Sequence, residues 1–84
     1  MKIQFDPDAW DDYLYWQRTD KAMVKRIHAL IKDCQCSPFD GIGKPEALKN
    51  NFSGYWSRRI TQEHRLVYGV FNDRIEILQC RYHY

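Results

Sequence analysis

Apolar positions recur with one spacing in the first half of the chain and with another in the second. In the first half they return every three or four residues. Met23, Ile27, Leu30, Ile31 and Cys34 form one such stripe, and Trp10, Tyr13, Leu14 and Gln17 share a face one helix earlier. Asp6-Pro7 reads as a helix start, with Asp capping free amides and Pro suiting the first helical position. Asp8, Asp11 and Asp12 fall near the positive end of that helix. Thr19 reads as the cap of the second helix, and the short link predicts an antiparallel hairpin. Residues 1–5 are expected to form a short edge strand.

From Phe52 the period becomes two. Residues 54–61, 65–71 and 75–82 read as three strands, with turns at Gln62-Glu63-His64 and Asn72-Asp73-Arg74. Ser37-Pro38, Gly41, Gly43 and Pro45 interrupt the pattern, so 35–51 is expected as a long loop, with a helical turn at Glu46–Lys49 as one option. Loops of that length in small domains often carry function. The order is β-α-α-β-β-β, an α+β domain over residues 1–84 with two helices packed on one antiparallel sheet.

Segregation of side chains sets the expected register. A three-residue first turn puts Trp56, Ile60, Leu66, Tyr68 and Val70 on the face toward the helices. Tyr55, Ser57, Arg59, Thr61 and Arg65 then take the open face. A three-residue second turn adds Arg81 and His83 to the open face, but sends Ile75 and Ile77 there too.

Composition narrows the picture. A chain of 84 residues buries a limited share of its surface, so a partner or a second copy would add stability. Three Trp, six Tyr and four Phe are more rings than so small a core needs, which leaves some for stacking. No apolar run is long enough to span a bilayer, and the first residues lack a signal-peptide pattern. Three cysteines, an odd number, fit reduced thiols, so a cytoplasmic protein is expected. Net charge is only +2, but residues 1–43 carry six Lys and Arg against seven Asp, and residues 44–84 carry seven against four acids. The basic C-terminal half points to a phosphate-bearing partner.

The last four residues, Arg81-Tyr82-His83-Tyr84, are polar and rich in rings. Histidine exchanges protons near neutral pH. Glu46 is the one carboxylate between Asp40 and Glu63, and Arg65 lies in a strand that reaches toward the terminus. Carboxylate, imidazole and guanidinium together suit cleavage of RNA by its own 2′-hydroxyl: a base takes the proton, an acid protonates the leaving oxygen, and a cation stabilises the phosphorane charge. Each residue alone has a commoner structural reading. Glu46 is then a solvated carboxylate, Arg65 pairs with Glu63 or Glu76, and His83 is a terminal residue. Trp10, Trp16, Trp56, Tyr13 and Tyr68 are read as core, His28 as a rim residue, and His64 as a turn residue without a role. Cys34, Cys36, Cys80 and His83 compete as a metal set, but the spacing is not that of paired zinc ligands, and neither metal nor cofactor is expected.

Lys44-Pro45-Glu46, Tyr55-Trp56-Ser57-Arg58-Arg59-Ile60, Glu63-His64-Arg65-Leu66-Val67-Tyr68 and Arg81-Tyr82-His83-Tyr84, with Trp10-Asp11-Asp12-Tyr13, resemble the YoeB branch of the RelE-type toxin family. The resemblance covers the whole chain. It implies a RelE-like fold similar to microbial ribonucleases, and cleavage of mRNA in the ribosomal A site. It further implies Glu46 as general base, His83 as general acid, Arg65 as stabiliser of the transition state, and Tyr84 as the residue that orients the phosphate or stacks on a base. Lys49 and Arg59 would hold phosphates, and Lys44 and Arg81 complete the set expected to bind RNA. Relatives outside this branch use Lys, Arg and Tyr in place of the Glu/His pair. Implied partners are the 70S ribosome with its mRNA, a YefM-like antitoxin, operator DNA through the antitoxin complex, and a second copy of the chain. Two other functions stay open: a non-catalytic module that blocks translation by occupying the ribosome or RNA, and a DNA-binding autoregulator acting alone.

Overall fold

Helix α1 (Pro7–Thr19) begins at the expected place, with Asp6 at the N-cap position and Pro7 as the first helical residue, but the Asp6 side chain does not bond the free amides as expected. The computed structural model describes residues 1–82. Thr19 ends α1 instead of opening the next helix, and its hydroxyl donates back to the Tyr15 carbonyl. The cap of helix α2 (Lys21–Cys36) is Asp20, whose carboxylate accepts from the amides of Ala22 and Met23. The apolar stripe of α2 packs as predicted, with Met23, Ile27, Leu30 and Cys34 buried. That of α1 does not. Ala9 and Trp16 are buried and Tyr13 packs against the core, while Trp10 is 46 % exposed. The tether is polar: the Trp16 indole donates to the Cys80 carbonyl at 2.9 Å, which turns this face of α1 to the sheet.

Five strands form one sheet in the order β1-β5-β4-β3-β2. They are β1 (Lys2–Phe5), β2 (Glu46–Ala47), β3 (Tyr55–Arg59), β4 (Arg65–Val70) and β5 (Arg74–Gln79). β1 is the predicted edge strand, but it runs parallel to β5, so the sheet is mixed and not wholly antiparallel. The expected loop 35–51 contains strand β2, which pairs with β3 and shields part of its edge. No helical turn forms at Glu46–Lys49; a single 3-10 turn follows at Asn50–Phe52.

The β3–β4 register slides by two residues from expectation. Arg59 stands opposite Arg65, and the amides of Ile60 and Thr61 both donate to the His64 carbonyl. A slide of two preserves the faces, so Ile60, Leu66 and Tyr68 enter the core as predicted. The second turn is one residue shorter than expected: the Phe71 amide meets the Arg74 carbonyl, which leaves Asn72 and Asp73 at the tip. One residue reverses every side chain, and Ile75 and Ile77 become fully buried. Burying each isoleucine is worth about 1.5–3 kcal/mol, enough to select this register. The pairing then breaks between Val67 and Tyr68, whose partners are Gln79 and Ile77. This bulge skips Leu78 and brings Cys80 into the core.

Arg58, on the helix-facing side of β3, is wholly buried. Its guanidinium is paired with Asp33 and donates to the carbonyls of Ser37, Asp40 and Ile42. These bonds fold the Pro/Gly-rich segment over the end of α2. No helix among the described residues is long and apolar enough to cross a membrane.

Candidate functional site

The sheet face away from the helices collects three of the predicted site residues, Glu46, Arg59 and Arg65. Glu46 pairs with Ser57, which pairs with Val67, which pairs with Gln79. Paired residues share a face, so these four form one row across the sheet. Arg59 lies two residues along β3 from Ser57 and is the diagonal neighbour of Glu46, at about 7–8 Å between Cα atoms. Arg65 is directly opposite Arg59. Ser57 and Val67 are buried in this row, so its floor is dry, while Glu46 and Arg59 remain exposed above it.

Local sequence sets the Glu46 end. Gly43 (φ +80°) and Lys44 (φ +52°) are both left-handed, and the Gly43 carbonyl accepts from the Arg59 amide at 2.6 Å. A Cβ at Gly43 would sit 2.7 Å from Leu30 Cδ2, so only glycine lets the chain approach α2 this closely. Pro45 then delivers Glu46 into β2. An open cleft of about 300 Å³ is lined by Glu46, Ala47, Leu48, Lys49 and Asn50. Lys44 and Lys49 are exposed on either side of Glu46. A larger cleft of about 440 Å³ lies on the helical layer beside Gln17, Lys21, Val24, Lys25 and His28, remote from this chemistry.

Arg65 makes neither of the ion pairs suggested as its structural reading. Its Nη1 donates to the carbonyls of Thr61 (2.7 Å), Gln62 (2.8 Å) and His64 (3.2 Å), so the guanidinium is gathered over the β3–β4 turn. Arg81 is not on the open face. Its guanidinium lies 3.6 Å from the centroid of the Tyr15 ring, against α1, and donates to the Tyr82 hydroxyl. The expected placement assumed a strand running to residue 82, whereas β5 ends at Gln79, so the alternation stops before it reaches Arg81. His83 and Tyr84 lie outside the described residues.

Two residues given no role in the sequence are embedded in hydrogen-bond networks. Arg58 is one; its place in the apolar alternation of β3 was the available signal. His64 is the other. Its Nδ1 accepts the Tyr82 amide at 2.7 Å, and its ring meets Trp16 edge-on at 4.8 Å. A turn histidine carries no local signal of this kind. His28 is a rim residue, bonded to the Tyr13 hydroxyl at 2.6 Å.

The cysteines sit apart in chemistry. Burial pushes the Cys80 thiol up to about 12, with the charge of Asp12 acting in the same direction. Burial also raises Cys34, whereas Cys36 is exposed. Cys34 thus belongs to the helix stripe. Among the described residues, no group of three His, Cys, Asp or Glu side chains is placed to hold a metal ion.

Comparison with known proteins gives one consistent answer. The sequence pattern that defines the YoeB-like toxins of bacterial type II toxin–antitoxin systems matches residues 5–84. The chain is 62 % identical to toxin YoeB of Escherichia coli K12, over the full length of both. A solved YoeB/ParE toxin from Agrobacterium tumefaciens superposes with a TM-score of 0.98 at 53 % identity, over all of both chains. YoeB of Staphylococcus aureus, solved in a heterotetrameric complex with YefM, superposes with a TM-score of 0.93 at 52 % identity, covering all of this chain and 98 % of that one.

Proposed function

The chain belongs to the YoeB-like toxins of bacterial type II toxin–antitoxin systems, and from that premise we propose that it is a metal-independent endoribonuclease that cuts mRNA in the ribosomal A site. The observation that carries the proposal is the open sheet face, where Glu46, Arg59 and Arg65 share adjacent rows beside a cleft edged by Lys49. A carboxylate among cations on a dry floor suits a phosphodiester better than a carboxylate-bearing ligand.

Glu46 takes the ribose 2′-OH proton, and the oxygen attacks the adjacent phosphorus in line. The bond to the 5′-oxygen breaks, and His83 protonates that leaving oxygen. The products are a 2′,3′-cyclic phosphate and a 5′-hydroxyl. Arg65 stabilises the equatorial oxygens, while Lys44, Lys49 and Arg59 hold flanking phosphates. Tyr84 orients the scissile phosphate or stacks on a base. Arg81, held against Tyr15, adds positive charge beside the terminus and not on the sheet face.

The same reading assigns partners. The 70S ribosome presents the mRNA, and an acidic YefM-like antitoxin segment folds over the basic face, as a disordered chain does when binding supplies its ordering cost. Operator DNA is reached through that complex, a second copy of the chain forms a homodimer, and the setting is the cytoplasm. The S. aureus relative is solved both with YefM and as a dimer.

One observation favours a second reading, a non-catalytic module that blocks translation on the ribosome. The Arg65 guanidinium is tied to turn carbonyls instead of reaching over the face. Catalytic hydrogen bonds often form only in the bound complex, which keeps the first reading ahead. The deciding experiment is cleavage of end-labelled mRNA on ribosomes with an empty A site, with and without ribosomes. Cuts confined to the A-site codon, ribosome-dependent and nearly lost in His83→Gln, are expected. Blocked translation with intact mRNA would instead establish the binding module.

A further inference from the structure

Tyr82 has a left-handed backbone, with φ +62°. A bulky residue keeps that conformation only when its surroundings hold it. Both of its peptide groups are held. The Tyr82 amide donates to His64 Nδ1 at 2.7 Å, and the Tyr82 carbonyl accepts from the Arg65 amide at 3.1 Å. Consecutive residues of one turn therefore grip both sides of the bend.

His64 is itself immobilised. Its amide donates to the Thr61 hydroxyl at 3.2 Å and its carbonyl receives the amides of Ile60 and Thr61. Its ring packs edge-on against Trp16, which is 7 % exposed and anchored to the Cys80 carbonyl. The imidazole thus transmits the position of the core to the backbone at Tyr82. To accept the amide, Nδ1 must lack a proton, which puts the ring hydrogen on Nε2. A left-handed bend at Tyr82 is incompatible with a continued strand, so alternation from β5 does not extend through it.

We propose that His64 is a positioning residue for the cleavage reaction: its Nδ1 clamps the Tyr82 bend against the turn that carries Arg65. This rests on the nuclease reading above. Arg65 is the next residue after the clamp, and its amide is bonded to the carbonyl of the same residue, Tyr82, so one turn holds both the bend and the backbone of the cation.

The test uses the full chain and two variants. His64→Phe keeps a ring against Trp16 and removes the acceptor. His64→Asn places an oxygen near the position of Nδ1. Amide exchange at Tyr82 reads the clamp, and single-turnover cleavage of A-site mRNA reads its consequence. His64→Phe is expected to lose protection at Tyr82 and about 10²-fold in cleavage rate, the size of effect that a misplacement of about 1 Å produces, with ribosome affinity unchanged. His64→Asn should restore most of both. Unaltered protection in His64→Phe would overturn the clamp, and lost protection with a wild-type rate would overturn its catalytic consequence. If the wild-type protein did not cut, the nuclease reading would fall with the positioning role, and amide exchange would still decide the clamp.

Discussion

Arg58 Nε donates to the Tyr68 hydroxyl at 3.1 Å, between two side chains that are both fully buried. The hydroxyl in turn donates to the Pro38 carbonyl at 2.7 Å. With Asp33, Ser37, Asp40 and Ile42 on the remaining nitrogens, all five guanidinium donors have acceptors. A buried arginine is tolerable only under that condition. Burial pushes the Tyr68 phenol up to about 12, so it stays neutral and keeps its proton to give.

Tyr68→Phe should therefore destabilise the fold by about 1–3 kcal/mol, because Arg58 Nε and the Pro38 carbonyl each lose their partner while the ring remains. Urea unfolding with an unchanged slope and a lower midpoint is the expected result. An unchanged midpoint would mean that water replaces the hydroxyl at no cost.

Acid should act through Asp33. Its hydrogen bond from Arg58, and then that from the Ile42 amide, hold its carboxyl below the usual range. Such a group contributes stability that is present above the unfolded value of about 3.9 and is lost as pH falls through the lower folded value. Asp12 opposes it in the window just above: burial raises its carboxyl, so its ionisation costs stability as pH rises from the unfolded value through its higher folded value. The stability gap between wild type and Asp33→Asn should narrow as pH drops below about 4. A gap constant with pH would show that the Asp33 contribution is not ionic.

Thiol labelling should separate the cysteines. Cys36 is exposed, whereas Cys34 and Cys80 are buried and their thiols are raised. Thiolate is the reactive form, so iodoacetamide should modify Cys36 alone in the native protein and all three in denaturant. Mass spectrometry counts the adducts. Native labelling of Cys80 would mean that the β5 end opens readily.

Glu46→Gln should lower A-site cleavage about 10²- to 10⁴-fold, the usual contribution of a general base. Glu46 is exposed on an edge strand, so the melting temperature should hold. Loss of activity together with a lower melting temperature would reassign Glu46 to structure.

Part of the site was legible in the chain itself: Arg59 and Arg65 were expected on the open face and lie there, whereas Glu46, expected in a loop, joins them through the unforeseen strand β2. The faces of the two arginines depend on parity, which a two-residue slide at the first turn leaves intact. Arg81 was misplaced for a different reason: the shorter second turn and the bulge cancel in parity, but β5 ends at Gln79, and beyond it the chain sets Arg81 against Tyr15. Trp10 was assigned to the core because helical spacing alone does not distinguish neighbouring faces of a helix rich in rings. It lies outside, stacked on Tyr13 at 5.5 Å.

Local chemistry in the sequence determined the two helices, the α2 stripe, the N-terminal edge strand and the helix-facing residues of β3 and β4. Periodicity, caps and turn residues act over a few positions, so they can be read without the rest of the molecule. Tertiary structure alone decided the parallel pairing of β1 with β5, the strand hidden at Glu46–Ala47, the buried Arg58 network and the His64 clamp on Tyr82. Each joins residues far apart in the chain, and each is selected by burying apolar surface or satisfying a buried donor, conditions that exist only once the layers have packed.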